Sequence, residues 1–284
     1  MIRRCMALAA LLLASAGLAA AEAASGHFPM IRAGHTVTIW YHVPATAAAA
    51  TPIVIVMHGV NRNADDYLRD WTGLSDANHF VAVCPEFSQK EFPDDVGYIY
   101  GNTVDHAGRA MPRDQWSFSM IEPVFDAVKA RIGNTSARYS IFGHSAGAQF
   151  VQRFVYFVPT ARLDRAVAAN AGWYMLPDFA HSFPYGLKGT PVTPADLRHA
   201  LALPLTILLG TADTNPKDKV LRHTPEADAQ GPYRFARGQN FYAQARLAAE
   251  AIGLPLGWSL ATAPGIGHSD KGMSPFAVKH LISP

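Results

Sequence analysis

The tripeptide Gly-His-Ser occurs twice in this sequence of 284 residues, at positions 143–145 and 267–269. A serine hydroxyl becomes a nucleophile when a histidine removes its proton, and that histidine needs a carboxylate to orient its ring. The two copies therefore offer a candidate nucleophile and a candidate base, provided that the fold brings them together and supplies an acid.

The first copy lies in the motif GHSAG, in which Ser145 stands between Gly143 and Gly147. It follows the apolar run YSIF and precedes a helical pattern that begins at Ala146. A strand-to-helix turn of this kind is typical of the nucleophile elbow of α/β-hydrolases, in which the flanking positions have no room for a side chain. We predict that Ser145 is the nucleophile. His144 is too close in sequence to be its base, and we interpret it as a packing or orienting residue.

The second copy meets the chain order of this fold, in which the serine comes first, then the acid, then the histidine. It lies in the glycine-rich loop PGIGHSDKG, after the last predicted strand and before the last predicted helix. We predict that His268 is the base and that Ser269 has no chemical role or serves in a local turn. The competing histidines either precede the last strand or lie in the last helix: His181, His199, His223 and His280.

A candidate acid follows the buried strand pattern LPLTILLG, where Asp213 lies just beyond the strand's carboxyl end. Catalytic loops collect at that edge of a parallel sheet. Asp218, Glu226 and Asp228 lie further along the same loop and are weaker alternatives. Asp218 also occupies the position at which a calcium loop beginning at Asp213 requires glycine. Since zinc-binding patterns are absent from the sequence as well, we expect no catalytic metal.

An oxyanion intermediate needs two backbone N–H donors. The first is expected from Ala146, the residue after the nucleophile. The second is expected from Val60, in the loop that follows the strand pattern PIVIVMHG. We interpret His58 as a residue that holds this loop by hydrogen bonding rather than as a general base.

The elements that must position these residues alternate between apolar strands and amphipathic helices. Strand patterns cover 35–44, 52–59, 80–87, 138–145, 165–173, 203–210 and 257–265, and helical patterns cover 63–79, 117–133, 146–158, 238–253 and 274–282. Buried strands separated by such helices predict an α/β fold, with a mostly parallel sheet covered by helices on both faces. With no linker visible, we expect residues 24–284 to form a single domain.

Two long irregular segments, 87–116 and 177–200, are expected to be loop insertions over the site. The second contains a short helix predicted to begin with Thr193 as its N-cap and Pro194 as its first residue. Aromatic residues in or near these segments could line an acyl pocket or pack in the core, and both readings are open: Tyr98, Tyr100, Trp116, Trp173 and Tyr174.

The N-terminus carries the pattern of a secretory signal peptide. Arg3 and Arg4 precede a short alanine- and leucine-rich run, and small residues follow in AEAAS. A charged region, a short apolar region and an Ala-x-Ala site predict cleavage rather than a membrane anchor. We therefore expect a signal peptide over residues 1–23, a periplasmic or secreted mature protein, and no stable membrane association after cleavage.

Composition excludes other classes of function. The formal net charge is only +2 and no basic run is interleaved with aromatic residues, so nucleic acid is not an expected partner. Of the two cysteines, Cys5 lies in the predicted signal peptide, which leaves Cys84 alone in the mature chain. Cys84 stands in the apolar run FVAVCPEF and is predicted to be a buried structural thiol.

Four segments occur in order along residues 50–270: VMHGVNRNADDY, GHSAG, LLGTADTNP and GIGHS. Together with QGPYRFARGQNFY they resemble α/β-hydrolase esterases of the poly(3-hydroxybutyrate) depolymerase-like group, which is related to feruloyl and acetyl-xylan esterases. The resemblance implies hydrolysis of carboxylic esters through an acyl-enzyme, without a cofactor. The sequence departs from typical extracellular polymer depolymerases because it has no linker to a second, polymer-binding domain and no cysteine pair. Soluble short-chain or hydroxyalkanoate-type esters and their oligomers are therefore the expected substrates.

Two alternatives remain at this point. The first is a serine peptidase on the same fold, and the second is a binding protein that keeps the fold without catalysis, because fold does not dictate function. The intact order of serine, acid and histidine argues against the second. An ester-versus-amide panel distinguishes the first from an esterase.

Overall fold

A computed structural model describes residues 23–282 of the chain. The predicted signal peptide lies outside the described residues, apart from its last position at Ala23. The first described element begins at Ala24. Among the helices of residues 23–282, none combines the length and the apolar character needed to cross a bilayer.

Eight strands form one sheet in the spatial order β1-β2-β4-β3-β5-β6-β7-β8. β1 and β2 are antiparallel to their neighbours, whereas β4, β3 and β5 to β8 pair in parallel. Helices lie on both faces, so the predicted α/β-hydrolase fold is confirmed. The strands are β1 (Ala24–Arg32), β2 (His35–Val43), β3 (Ile53–Met57), β4 (Val81–Glu86), β5 (Tyr139–His144), β6 (Leu163–Ala169), β7 (Leu205–Gly210) and β8 (Ser259–Ala263).

Five long helices cover the sheet together with shorter ones that lie in the loops. The helices are α1 (Ala64–Asn78), α2 (Asp94–Gly97), α3 (Ile121–Ile132), α4 (Ala146–Phe157), α5 (Pro194–Ala202), α6 (Pro225–Asp228), α7 (Arg234–Ala251) and α8 (Asp270–Leu281). Two short 3₁₀ turns, Arg113–Gln115 and Phe118–Met120, precede α3. As predicted, Thr193 caps α5: its side chain accepts a hydrogen bond from the Asp196 amide, and Asp196 reciprocates in a capping box.

The alternation of side chains along β3 shows how the sheet divides the core. Ile53, Ile55 and Met57 pack into the cluster under α3, α4 and α7, while Val54 and Val56 pack into the cluster under α1 and α8. All five side chains are buried because both faces of this central strand are covered. Cys84 of β4 belongs to the second cluster and is fully buried, and burial raises the pKa of its thiol. The prediction of a structural thiol is confirmed.

The sequence patterns missed one strand and placed two helix starts too late. β1 is an edge strand with mostly exposed residues and an internal Pro29, so it lacks the apolar alternation that marks a strand. α7 begins at Arg234 rather than at Gly238, because Gly238 lies inside the helix where it approaches Leu209 of β7. α8 begins at Asp270 rather than at residue 274, because Ser269 acts as its N-cap and accepts a hydrogen bond from Gly272.

Candidate functional site

The turn between β5 and α4 has the tight geometry of a nucleophile elbow. Ser145 has φ 57° and ψ −116°, a conformation that non-glycine residues rarely adopt. A Cβ at Gly143 would lie 2.1 Å from the carbonyl oxygen of Gly147, and one at Gly147 would lie 2.1 Å from that of Met57. The turn therefore requires both glycines of the GHSAG motif. It presents the Ser145 side chain at the carboxyl edge of the sheet.

The structure brings the three predicted residues together at that edge. The Ser145 hydroxyl lies 2.9 Å from His268 Nε2, and His268 Nδ1 lies 2.8 Å from Asp213 Oδ2. Asp213 follows β7 and His268 follows β8, so two neighbouring strands deliver the acid and the base. A neutral imidazole in this arrangement accepts from the serine through Nε2 and donates to the carboxylate through Nδ1.

Asn170, which the sequence patterns did not single out, joins the loops that carry the acid and the base. It follows β6 in the left-handed region, with φ 50°. Its side chain accepts from the Gly210 amide at 2.8 Å and donates to the Gly267 carbonyl at 3.0 Å. The residue after a strand and its ability to adopt a left-handed conformation are weak signals, because asparagine occurs at many turns for the same reason.

Asp213 is buried, and Arg234 at the start of α7 compensates its charge. Arg234 Nη1 lies 3.4 Å from Asp213 Oδ1 and 2.8 Å from Asp218 Oδ2. The hydrogen bond from Arg234 lowers the pKa of Asp218. Asp218 is thus engaged with Arg234 rather than with His268. Asp228, another alternative acid, contacts His223 and Arg237.

The predicted oxyanion donors border the same small cleft as Ser145. Val60 and Ala146 line a cavity of about 100 Å³ together with Ser145. His58 supports the loop as predicted: Nε2 accepts from the Phe87 amide at 3.0 Å, and Nδ1 lies 3.0 Å from the Gly59 carbonyl oxygen. Burial lowers the pKa of His58 to about 3, so this histidine stays neutral.

His144 does not contact the serine hydroxyl as a base would. Its side chain is buried, its Nδ1 lies 3.0 Å from the Tyr67 hydroxyl, and its ring centroid lies 4.7 Å from that of His268. Burial and the neighbouring His268 and Arg234 lower the pKa of His144 well below the usual value. The interpretation of His144 as a packing or orienting residue agrees with these contacts.

A further part of the cleft wall is formed by Trp173, Arg222, Asp95 and Ile99. Of the five aromatic residues considered as pocket residues, only Trp173 lines this cleft. Tyr98 and Tyr174 are fully buried, Trp116 packs against Phe157, and Tyr100 packs against Trp173 and Phe183. The loop 87–116 reaches the site directly through Asp95 and Ile99. The loop 177–200 reaches it indirectly, since Tyr185 contacts Arg222.

Arg222 is held on the wall by several partners. Its Nη2 lies 2.7 Å from Asp95 Oδ2 and its Nη1 lies 3.1 Å from the Tyr100 hydroxyl, while the guanidinium carbon lies 4.8 Å from the Trp173 ring centroid. The side chain remains 30% exposed. The cleft wall beside Ser145 therefore combines the apolar ring of Trp173 with two partly exposed polar groups. The Arg222 guanidinium is a hydrogen-bond donor and the Asp95 carboxylate is an acceptor.

Acyl transfer is the chemistry that this arrangement can perform: a serine, a base oriented by a buried carboxylate, and backbone donors beside them. Within residues 23–282, no group of three or more histidine, cysteine, aspartate or glutamate side chains is arranged to hold a metal ion.

Comparison with known proteins identifies relatives that are similar to this chain over most of its length. The chain is similar to poly(aspartic acid) hydrolase-1 from Sphingomonas sp. KT-1, with 45% identity, a TM-score of 0.88, and coverage of 90% of this chain and 98% of that one. It is also similar to LpqC, a poly(3-hydroxybutyrate) depolymerase from Bordetella parapertussis, with 35% identity, a TM-score of 0.86, and coverage of 90% and 88%. An S-formylglutathione hydrolase from Agrobacterium tumefaciens, 19% identical with a TM-score of 0.57 over 92% and 94% of the two chains, shares the fold. No family model and no curated protein sequence matches the chain.

Proposed function

The chain belongs to the poly(3-hydroxybutyrate) depolymerase-like group of α/β-hydrolase esterases, and from this membership we propose that it is a secreted serine carboxylesterase acting on short-chain or hydroxyalkanoate-type esters. The general activity of a carboxylic ester hydrolase follows from membership of this family. The observation that supports a serine mechanism is the hydrogen-bonded series from Ser145 through His268 to Asp213.

In the proposed mechanism, Ser145 Oγ attacks the ester carbonyl carbon while His268 Nε2 takes the hydroxyl proton. Asp213 accepts the Nδ1 hydrogen bond and stabilises the imidazolium that forms. The amides of Val60 and Ala146 donate to the oxyanion of the tetrahedral intermediate. His268 then protonates the departing alcohol, and a water molecule, activated by the same histidine, hydrolyses the acyl-enzyme.

The size of the cleft supports short acyl groups. A cavity of about 100 Å³ beside Ser145 accommodates only a few methylene groups. Each methylene that leaves water contributes roughly 0.8 kcal/mol, so selectivity rises with acyl length until the cavity is full and then falls. We expect a maximum of kcat/KM on p-nitrophenyl esters of roughly two to six carbons.

We also propose that residues 24–284 form a single catalytic domain that acts after export to the periplasm or the medium. The support for export is the signal-peptide pattern of residues 1–23. Mass measurement of the protein recovered from the periplasm checks it, since cleavage near residue 23 removes the N-terminal segment and a full-length mass contradicts it.

The decisive test of the proposed nucleophile is Ser145→Ala. The substitution removes only the hydroxyl, so we expect an intact fold, loss of nearly all ester turnover and loss of fluorophosphonate labelling. Ser269→Ala is the matched control, because Ser269 caps α8 and has no place in the mechanism. A fluorophosphonate adduct on Ser269, or on no serine of the wild-type protein, contradicts the proposal.

A second candidate function is hydrolysis of an amide-linked, carboxylate-bearing polymer, which would make the protein a peptidase-like hydrolase. Two observations favour it. The chain is 45% identical to a poly(aspartic acid) hydrolase, and Arg222 presents a partly exposed guanidinium on the cleft wall beside Ser145. Guanidinium groups recognise carboxylates through paired hydrogen bonds. Asp95 opposes this role, because it already occupies one edge of the guanidinium.

A substrate panel separates the two candidates. We expect wild-type protein to cleave short neutral esters and soluble 3-hydroxybutyrate oligomers in preference to peptide anilides and poly(aspartic acid). Arg222→Gln should then change ester turnover little. A wild-type preference for poly(aspartic acid) that Arg222→Gln abolishes, and that Arg69→Gln on the exposed face of α1 leaves intact, supports the second candidate instead.

A further inference from the structure

Tyr67 of α1 lies between the two halves of the catalytic machinery. Its hydroxyl is 3.0 Å from His144 Nδ1, and a Cβ at Gly59 would lie 2.9 Å from the same oxygen. Gly59 directly precedes Val60, the proposed oxyanion donor, and His144 directly precedes Ser145. The Tyr67 oxygen is therefore in contact with the oxyanion loop and with the elbow.

We propose that Tyr67 is a positioning residue with two contacts. It holds the oxyanion loop at Gly59, and through the ring of His144 it keeps His268 within hydrogen-bond distance of Ser145. The inference rests on the proposed serine-hydrolase function and adds a residue that acts through others. Tyr67 itself does not touch the reacting atoms.

The first step of the argument concerns Gly59. Its α-carbon lies so close to the phenol that any side chain would collide with the Tyr67 oxygen, and a Cβ there would lie only 3.8 Å from the Ser145 Cβ. The loop is thus confined between the tyrosine and the nucleophile. Burial raises the pKa of the Tyr67 phenol. The phenol therefore keeps its proton, and its oxygen lies against the loop that carries Val60.

The second step concerns the protons of His144. The Tyr67 phenol keeps its proton, so that proton can be donated to His144 Nδ1, which lies 3.0 Å from the oxygen. Burial lowers the pKa of His144, so the ring is neutral and can accept at Nδ1, with its remaining proton on Nε2. Among the described residues Nε2 has no hydrogen-bond partner. The hydrogen bond from Tyr67 is therefore the one that orients this ring.

The third step concerns His268. The rings of His144 and His268 lie with centroids 4.7 Å apart and planes inclined by 37°. His268 becomes an imidazolium during the reaction, and a neutral neighbouring ring tolerates that charge whereas a protonated one would repel it. A neutral His144 ring in a fixed orientation therefore keeps the His268 ring in place while His268 takes the proton of Ser145 and passes it on.

The variant Tyr67→Phe tests the proposal, because it keeps the ring and its packing and removes only the oxygen. We expect kcat to fall on the order of 10-fold with little change in KM, since a misplaced oxyanion donor costs less than the 10²–10³ of a deleted one. Affinity for a trifluoromethyl ketone, whose hemiketal oxygen mimics the oxyanion, should weaken in parallel with kcat. Unchanged kcat, or a higher KM with unchanged kcat, overturns the proposal.

Tyr139→Phe is the matched control. Tyr139 lies at the opposite end of β5, is also buried, and donates to Glu122 Oε1 at 2.7 Å. The control loses a comparable buried hydrogen bond far from Ser145, so it should retain wild-type kinetics even if its stability falls. An equal loss of kcat in Tyr139→Phe overturns the proposal, because the effect would then come from general destabilisation.

His144→Phe gives an independent variant if Tyr67→Phe does not fold. It keeps an aromatic ring against His268 but cannot accept from Tyr67, so we expect a similar fall in kcat. The double variant should be no slower than the slower single variant, and fully multiplicative losses overturn the coupling. A wild-type protein without ester turnover or Ser145 labelling overturns the proposed function and this inference together, whereas an active wild type with an unaffected Tyr67→Phe overturns this inference alone.

Discussion

At the residue scale, the choice of acid depends on a guanidinium that the sequence did not single out. Arg234 lies between Asp213 and Asp218 and is itself almost fully buried. A buried carboxylate without a countercharge would cost several kcal/mol. Arg234 supplies that charge at Oδ1 of Asp213, and Oδ2 is left to the imidazole of His268.

Asp213→Asn tests this assignment. The amide keeps the shape of the side chain but favours the wrong imidazole tautomer, so turnover should fall by something on the order of 10⁴, as it does when the triad aspartate of a serine protease is replaced by asparagine. Substrate binding should change little. Steady-state kcat and KM measure the two effects separately.

Asp218→Asn is the control for that experiment. It shares Arg234 with Asp213 but does not contact His268. We expect it to retain most of the turnover. Full activity in Asp213→Asn together with its loss in Asp218→Asn would move the acid to residue 218.

At the scale of elements, the elbow depends on how closely α4 approaches the ends of β3 and β5. The nearest atoms to a Cβ at Gly147 are backbone atoms of Met57 and His58, which cannot rotate away as a side chain can. The requirement is therefore one of packing between elements, and not of local turn conformation alone.

Gly147→Ala should consequently prevent formation of the native elbow, with loss of activity and a greatly lowered melting temperature or no soluble protein. Gly73→Ala in the middle of α1 is the control, since no atom lies within 4 Å of a Cβ there. Replacing a helical glycine by alanine should raise the free energy of unfolding by roughly 0.5–1 kcal/mol. Thermal and urea unfolding measure both effects, and a wild-type melting temperature for Gly147→Ala contradicts the packing argument.

At the scale of the whole molecule, three buried groups link stability to pH in opposite directions. Burial lowers the pKa of His58 to about 3 and also lowers that of His144, so folding keeps both rings neutral. Their contribution to stability is present above the unfolded value of about 6.5 and is lost as pH falls toward about 3. Burial and the charge of Asp70 raise the pKa of Asp270, despite the Ser274 hydroxyl and the Trp71 indole nearby. Folding therefore favours the neutral carboxyl of Asp270, and this contribution to stability is lost as pH rises from about 3.9 through its folded pKa.

Urea unfolding between pH 4 and 8 tests this balance in the wild type and in Asp270→Asn. The wild type should lose stability below about pH 6.5. In that range protons bind His58 and His144 in the unfolded state, whereas both rings stay neutral in the folded state. The asparagine variant should gain stability relative to the wild type as pH rises, by up to about 1.4 kcal/mol per pH unit, since it has no carboxyl to keep protonated. A constant difference between the two proteins across this range would show that Asp270 does not titrate between the folded and unfolded states.

The sequence by itself determined those features whose signals are local. The α/β fold follows from runs such as IVIVM and from the helices between them, and the capped start of α5 follows from Thr193 and Pro194. The GHSAG turn and the chain order of serine, acid and histidine pointed to three residues that the structure brings within hydrogen-bond distance. The signal peptide is equally local in its pattern, and it stays a prediction because it lies outside the described residues.

The tertiary structure alone decided what depends on contacts between distant segments. Arg234 distinguishes Asp213 from Asp218, Asn170 ties the loops after β7 and β8 together, and Tyr67 meets His144 across 77 positions of sequence. It also decided that Trp173 faces the cleft while the other candidate aromatics pack elsewhere. The physical reason is that a side chain's neighbours in space are set by the order and register of the strands. The sequence around a single arginine, asparagine or tyrosine does not indicate which distant residue it will contact.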